Sequence, residues 1–210
     1  MIEKPHHWKR PPVLVIKPGA PLYPRNLLCD NGIPPQELSI IGNPLLLKEP
    51  LVGFFSSRRL PGRLLLEAFE WAQSQKRHSM NVVCGFHSPM EKECLSVILG
   101  GRANVLLCAA RGIGHFRVPL AWRSPLNEGR LTVVTAEHDN VRRSSRSLAY
   151  QRNRLVAALA KEILVAHATR GGQTELLVRE ILRDGKSVFT FSGPENEHLL
   201  RIGVCAWEGH

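Results

Sequence analysis

LAYQRNRLVAALAKEILVAHATRGGQT, residues 148–174, is the stretch that decides the fold. Arg152-Asn153-Arg154 stands at or inside the start of a helix whose apolar spacing runs over 147–160. Residues 162–168, EILVAHA, form an apolar run without in/out alternation, which is the mark of a strand covered on both faces. Gly171-Gly172 then makes a turn, and TELLVREILRDG (174–185) predicts the next helix, with a glycine at its C-terminal end. Helix, buried strand, glycine turn and helix together define an α/β unit. In such a unit the turn lies at the carboxyl end of the strand, and the following helix offers free N–H groups and a positive dipole end to an anion.

The same alternation extends in both directions. LVGFF (51–55), NVVCGF (81–86), ANVLLCA (103–109), LTVVTA (131–136) and KSVFTF (186–191) read as further strands. Residues 64–76 and 89–99 read as helices, the first with Leu65, Phe69 and Ala72 on one face. The expected fold is α/β: a Rossmann-like, doubly wound, mostly parallel sheet of about six or more strands, with helices on both faces. Ligands of such sheets bind at the carboxyl ends of the strands, so the loops at 56–63, 84–90, 108–118, 136–147 and 169–174 are expected along one edge. Residues 1–50 are rich in proline, hold at most the short strand of PPVLVIKPG, and read as a lead-in segment packed on the core; residues 51–210 form the single domain.

Composition narrows the partners. The 210 residues suffice for one sizeable core, and 43% hydrophobic against 22% charged residues is globular composition. The net charge of +10 favours a polyanion, although a merely solvated basic surface would give the same count. Five cysteines, at 29, 84, 94, 108 and 205, form no C-x-x-C pair or zinc spacing, which fits a reducing cytoplasm. Cys84 and Cys108 read as small buried hydrophobes. No apolar run has signal-peptide or membrane-helix length, so a soluble cytoplasmic protein without membrane contact is expected. Walker, G-x-G-x-x-G, H-E-x-x-H and G-x-S-x-G motifs are absent, and no metal or cofactor is expected.

The candidate site residues are those whose chemistry suits phosphate at the expected edge. Ser56, Ser57 and Arg58 follow the first core strand and supply hydroxyls, amides and a bidentate cation; the plain alternative for Arg58 is a solvated surface charge. Arg152, Asn153 and Arg154 place cations where a helix dipole disfavours them, which points to a partner; the plain alternative is an ion pair with an acid such as Glu137. Gly171, Gly172, Gln173 and Thr174 form the turn, with Thr174 as helix N-cap or phosphate contact and Glu175 in the first turn. Arg142, Arg143 and Arg146 read as a basic loop. His167 reads as a core or edge residue, Trp71 as core, and Trp8, Trp122 and Trp207 are open to base stacking.

The order of these segments resembles the DNA-processing protein A (DprA/Smf) family over roughly residues 23–206. Tyr23-Pro24 and PPQEL..IGN (34–43) resemble its entry motifs, VGFFSSRR (52–59) its "vGsR" turn, and VVCGFHSPMEKECL (82–95) its "SG.A.GID..AH" segment. GGRANVLLCAARGI (100–113), QRNRLVAALAKEILVAHA (151–168), GGQTELLVREILRDGKSVFTFSG (171–193) and NEHLLRIGV (196–204) resemble its "g.T.aVl..Gl", "p.RNR.IA.Ls...lVvea", "SGSl.TA" and "N.Li..GA" segments. The resemblance implies a non-enzymatic protein that binds single-stranded DNA in DNA processing and natural transformation, with a recombinase and a second copy of the chain as further partners. It implies that Arg58, Arg152, Arg154 and the turn Gly172–Thr174 face one anion site. Pro89-Met90-Glu91 departs from the family's glycine, isoleucine, aspartate, so a remodelled second loop is expected. A winged-helix tail and a helical N-terminal domain are not expected. Two other functions fit the same residues: a nucleotide-binding sensor module, and a nucleotide phosphoribohydrolase of the LOG type, whose "PGGxGTxxE" loop Arg170–Glu175 partly resembles.

Overall fold

The computed structural model describes residues 8–28, 35–78 and 80–209. Cys29 and Pro34 of the PPQEL motif lie outside the described residues. In chain order the elements are β1 (Leu14–Ile16), β2 (Leu38–Ile41), β3 (Leu51–Ser56), α1 (Gly62–Arg77), β4 (Asn81–Cys84), α2 (Pro89–Leu99), β5 (Asn104–Cys108) and α3 (Arg123–Asn127). There follow β6 (Leu131–Thr135), α4 (Arg146–Leu159), β7 (Glu162–His167), α5 (Gln173–Arg183), β8 (Val188–Thr190), α6 (Glu197–Leu200) and β9 (Cys205–Ala206).

Among the described residues the strands form one nine-stranded sheet in the order β1-β2-β6-β5-β4-β3-β7-β8-β9. Every pair from β6 through β9 is parallel, while β1 and β2 add an antiparallel margin beside β6. Parts of the first fifty residues thus extend the sheet itself. The doubly wound expectation holds because successive strand residues feed opposite layers. Phe54, Val82, Cys84 and Val105 pack under α1 and α2; Phe55, Val83, Leu106 and Ile163 pack under α4 and α5. Strands buried on both faces cannot alternate apolar with polar residues.

The connection order creates one special place. From β3 the chain winds outward through β4, β5 and β6, then returns across the sheet to β7 on the other side of β3. The loops after β3 and β7 therefore diverge, leaving a crevice at their carboxyl ends, where open α/β sheets bind ligands.

Two expectations change in detail. The buried face of α1 is Leu64, Ala68, Trp71, Ala72 and Gln75, whereas Leu65 and Phe69 are 44% and 41% exposed. Apolar residues stand on more than one side of this helix, and the tie is broken by Trp71, whose ring stacks on Phe54 with centroids 4.4 Å apart. The strand expected at 186–191 begins only at Val188, because Lys186 has another task. Its ammonium donates to the carbonyls of Ala157, Ala158 and Ala160, closing the C-terminal end of α4. Burial holds its pKa below the usual lysine value.

Cys84 and Cys108 are buried as expected, and Cys94 with them. Burial pushes the Cys94 and Cys108 thiols up to about 12. No helix among the described residues is long and apolar enough to cross a membrane.

The register of α1 is testable. Trp71→Ala is expected to lower unfolding stability by about 3–5 kcal/mol, and Leu65→Ala by no more than about 0.5 kcal/mol. Urea denaturation midpoints of the two variants check the order; similar losses would mean that the other face is the buried one.

Candidate functional site

The site is assembled from three neighbouring loops, in the sheet order β4, β3, β7. The β4 loop comes first. Ser88 is the N-cap of α2 and accepts from the Glu91 N–H at 3.2 Å, while the Glu91 carboxylate accepts from the Ser88 N–H at 3.0 Å. This is a capping box, and Pro89 sits at the first helical position, where no N–H is needed. The same carboxylate also accepts from the N–H groups of His87 (2.7 Å) and Ser56 (3.0 Å). Pro89-Met90-Glu91 is therefore a remodelled loop with a purpose: one buried carboxylate ties the end of β3 to the loop after β4 and to α2.

The same loop carries the cation of the site. Arg152 is 8% exposed, and its guanidinium lies directly over Gly85. A Cβ at Gly85 would stand 1.9 Å from Nη1 and 2.2 Å from Cζ, so this position admits only glycine with the arginine in place. Arg152 Nε donates to Asn153 Oδ1 at 2.8 Å. Next to Gly85, Phe86 takes a φ of 47°, a left-handed conformation that costs a bulky residue strain. His87 is held below the usual imidazole pKa, first by burial and then by the charges of Arg152, Lys92 and Arg58. Arg58 from the β3 turn and Arg152 from α4 thus converge on His87.

The β3 turn joins the β7 loop. The Ser57 N–H donates to the His167 carbonyl at 3.0 Å, and the Ser57 hydroxyl donates to the Arg59 carbonyl at 2.9 Å. His167 Nδ1 lies 2.5 Å from the same hydroxyl oxygen. With the hydroxyl proton given to Arg59, the tautomer that completes the pair carries its proton on Nδ1. Burial also keeps His167 below the usual imidazole pKa, with His198 adding to the effect. His167 is therefore an edge residue, as its position at the end of a strand suggests, but one that faces the site. Ser56 is buried at the end of β3, and Arg58 is exposed.

In the β7 loop, Gly171 adopts φ 68° and Gly172, not Thr174, is the N-cap of α5. Gly172 can approach the Thr169 carbonyl, to which its N–H donates at 2.8 Å; a Cβ there would sit 2.9 Å from that oxygen. Gln173 and Thr174 form the first turn, and no side chain caps it. The anion already present is Glu175. Its carboxylate accepts from the Gly171 N–H at 2.7 Å and from Arg179 Nε and Nη2 at 3.0 and 2.6 Å. Burial raises its pKa, but the Arg179 and Gly171 hydrogen bonds outweigh it and leave the carboxyl below the usual range.

The triplet 152–154 does not act as a unit. It lies in the middle of α4, which starts at Arg146 with Ser145 as N-cap, so the helix-dipole penalty expected for it does not apply. Arg154 approaches Glu180 of α5 at 3.9 Å, and its acidic neighbour is that residue in place of Glu137. Arg152, Asn153, Ser57 and Arg58 come together, with Gly171–Thr174 one loop further along the edge. Gly85 and Glu91 escaped the sequence reading, although Ser88-x-x-Glu91 has readable capping-box spacing. Trp71 is core, Trp122 stacks on Phe116, Trp207 meets Phe189 edge-on, and Trp8 lies under Arg123. Among the described residues no cluster of His, Cys, Asp and Glu could hold a metal ion.

A Rossmann-like sheet with a cationic crevice at its switch point defines the class: an anion-binding α/β domain. The sequence profile of DNA recombination-mediator protein A matches residues 14–201, and the chain belongs to that family. Its function is accordingly DNA processing in recombination. The fold is similar to that of DNA processing protein A from Streptococcus pneumoniae, with a TM-score of 0.77 and 18% identity over 92% of this chain and 70% of that one. It is similar to DNA processing protein A from Helicobacter pylori, at 0.74 and 16% over 95% and 92% of the two chains; that structure is described by its single-stranded DNA binding mode. A molybdenum cofactor carrier protein from Chlamydomonas reinhardtii shares the fold more distantly, at 0.52 and 14% over 75% and 88%. No curated protein matches the chain in sequence.

The two imidazoles give the free protein a pH signature. Their folded pKa values lie below that of an unfolded histidine, near 6.5, so the unfolded chain binds protons first. Stability is expected to be full above about pH 6.5 and to fall as the pH drops through the lower folded values, with Glu175 adding a further loss on the acid side of the carboxylate range. Melting temperatures from pH 7.5 to 5 check this; His87→Gln and His167→Gln should each flatten the slope, and an unchanged slope in both would contradict the assignment.

Proposed function

We propose that the carboxyl edge of the sheet grips the sugar–phosphate backbone of single-stranded DNA, and that the protein works by binding, without catalysis. The observation that carries the reading is the Arg152 guanidinium, seated over Gly85 and converging with Arg58 on His87. Positive charge concentrated on a strand-end crevice suits phosphate oxygens, and Arg offers them a planar pair of donors. Ser57 and the uncapped start of α5 lie beside it. Arg142, Arg143 and Arg146 are exposed at the β6 end of the same edge and extend the basic surface. The single-strand binding of the Helicobacter relative supports the choice of polymer.

The phosphoribohydrolase reading needs Glu175 to reach a ribose. Its carboxylate is instead engaged by Gly171 and Arg179 on both oxygens. A recombinase as the recipient of the bound strand follows from the family's role as a recombination mediator. Reduced buried thiols at Cys84, Cys94 and Cys108 favour a cytoplasmic setting.

Fluorescence anisotropy with a labelled single strand, at low and physiological salt and with duplex competitor, tests the reading. Arg58→Ala and Arg152→Ala should each weaken binding about tenfold at low salt, regardless of base sequence, and lower the salt slope by about 0.7 for each phosphate no longer neutralised. Gly85→Ala should reproduce the Arg152→Ala effect, since its methyl occupies the guanidinium's place. Full affinity in all three variants would sink the site assignment.

A further inference from the structure

A cavity of about 100 Å³ opens between α4 and the segment that leads into β2, at the carboxyl ends of β5 and β6. Tyr23, Leu38 and Leu155 give it apolar walls, Glu137 and Gln151 supply polar groups, and Arg152 lines it as well. Arg152 therefore belongs to two places at once: its guanidinium lies over Gly85 in the anion site, and the same residue borders the cavity. The Tyr23 ring is held before any ligand arrives. Its hydroxyl donates to the Gln36 carbonyl at 2.9 Å and accepts from the Gln36 N–H at 3.2 Å.

We propose that this cavity receives one unpaired nucleobase of the DNA strand whose backbone is held at Arg152. The inference rests on the backbone reading above and adds to it a reason for single-strand preference. An aromatic wall and two aliphatic ones suit the faces of a flat heterocycle, which stacks regardless of base identity. The Gln151 amide carries both donors and acceptors, and so suits the edge of a base. Burial holds the Glu137 carboxyl above its usual range, which brings it closer to serving as a donor. The volume is far below the roughly 300–1,000 Å³ of pockets for drug-sized ligands, so one ring system fits where a base pair does not. A base must leave its partner to enter, and duplex DNA is thereby disfavoured without a repulsive contact.

The test compares an oligothymidylate with a strand of abasic sugar phosphates of equal length, by anisotropy, in the wild type and in two variants. Ala136→Phe fills the cavity, and Gln151→Ala alters its exposed polar wall where folding is not at stake. The wild type should bind the thymidylate strand about tenfold more tightly than the abasic one. Ala136→Phe should bring that ratio towards one by weakening thymidylate binding alone, and Gln151→Ala should reduce it about threefold. If Ala136→Phe does not fold, the Gln151→Ala ratio decides. An unchanged ratio in the folded variants overturns the proposal. A wild-type ratio of one, with salt-sensitive binding to both strands, overturns the cavity and leaves the backbone reading standing; binding to neither strand overturns both. Free thymidine monophosphate supplies the remaining arm. Stabilisation by it that Ala136→Phe abolishes, with no difference between the strands, would mark a mononucleotide site and overturn the assignment to a strand.

Discussion

A buried carboxylate and a buried guanidinium, Glu91 and Arg152, govern the carboxyl edge of this sheet. Both charges act on Cys84 and on His87. An isolated charge is costly to bury, and each of these is answered differently. Glu91 is surrounded by N–H groups from Ser56, His87 and Ser88, so its charge is spread over backbone from the end of β3 and the loop after β4. Arg152 donates one hydrogen bond to its neighbour Asn153 and lies against the bare backbone of Gly85. The anion is thus satisfied within the protein and serves structure. The cation is fixed in position and faces the crevice. That asymmetry gives the site its sign, and it depends on a single missing Cβ.

Most of the architecture is legible because the strands are apolar on both faces and the helices between them have ordinary spacing. LVGFF, ANVLLC and EILVAH could hardly be anything but buried strands, and once they alternate with helices the carboxyl edge follows. What fails is local and has identifiable causes. The face of α1 is ambiguous because Leu65 and Phe69 obey the same period as Leu64, Ala68 and Trp71; only the stack with Phe54, an interaction between distant positions, selects one set. The apolar spacing puts the start of α4 close to its true position, yet it leaves Arg152 looking like a residue of the first turns. The helix runs back to Arg146, so what singles Arg152 out is burial over Gly85 and not a dipole conflict.

The site is legible by residue type and less so by partnership. Arg58, Ser57 and Arg152 are there, brought together by the strand order. Arg154 is not, because two positions along a helix turn a side chain to the opposite side, towards Glu180. Gly85 and Glu91 look unremarkable in sequence: a glycine after a strand and an acid in a helix have many ordinary reasons. Their roles come from contacts 67 and 35 positions away in the chain, to Arg152 and Ser56, and no local pattern encodes these.

The distribution of charge along the edge also gives the bound strand a direction of travel. At the β7 end, the start of α5 resembles an anion cradle, but its own Glu175 already occupies the Gly171 N–H, with Arg179 neutralising it from behind. A phosphate placed there would meet a carboxylate. Towards β4 the balance reverses: Arg58, Arg152 and Lys92 surround His87, and the Glu91 charge between them is consumed by backbone donors. Beyond lie the cavity and then the exposed arginines of the β6 loop. Neighbouring strands lie about 4.8 Å apart, so from β3 to β6 this favourable side spans roughly 14 Å. A backbone entering over Arg58 therefore gains by running towards α4, past the cavity and on to Arg142 and Arg143, and loses by running over α5. The same glutamate that makes the turn after β7 look catalytic in sequence is what steers a polyanion away from it.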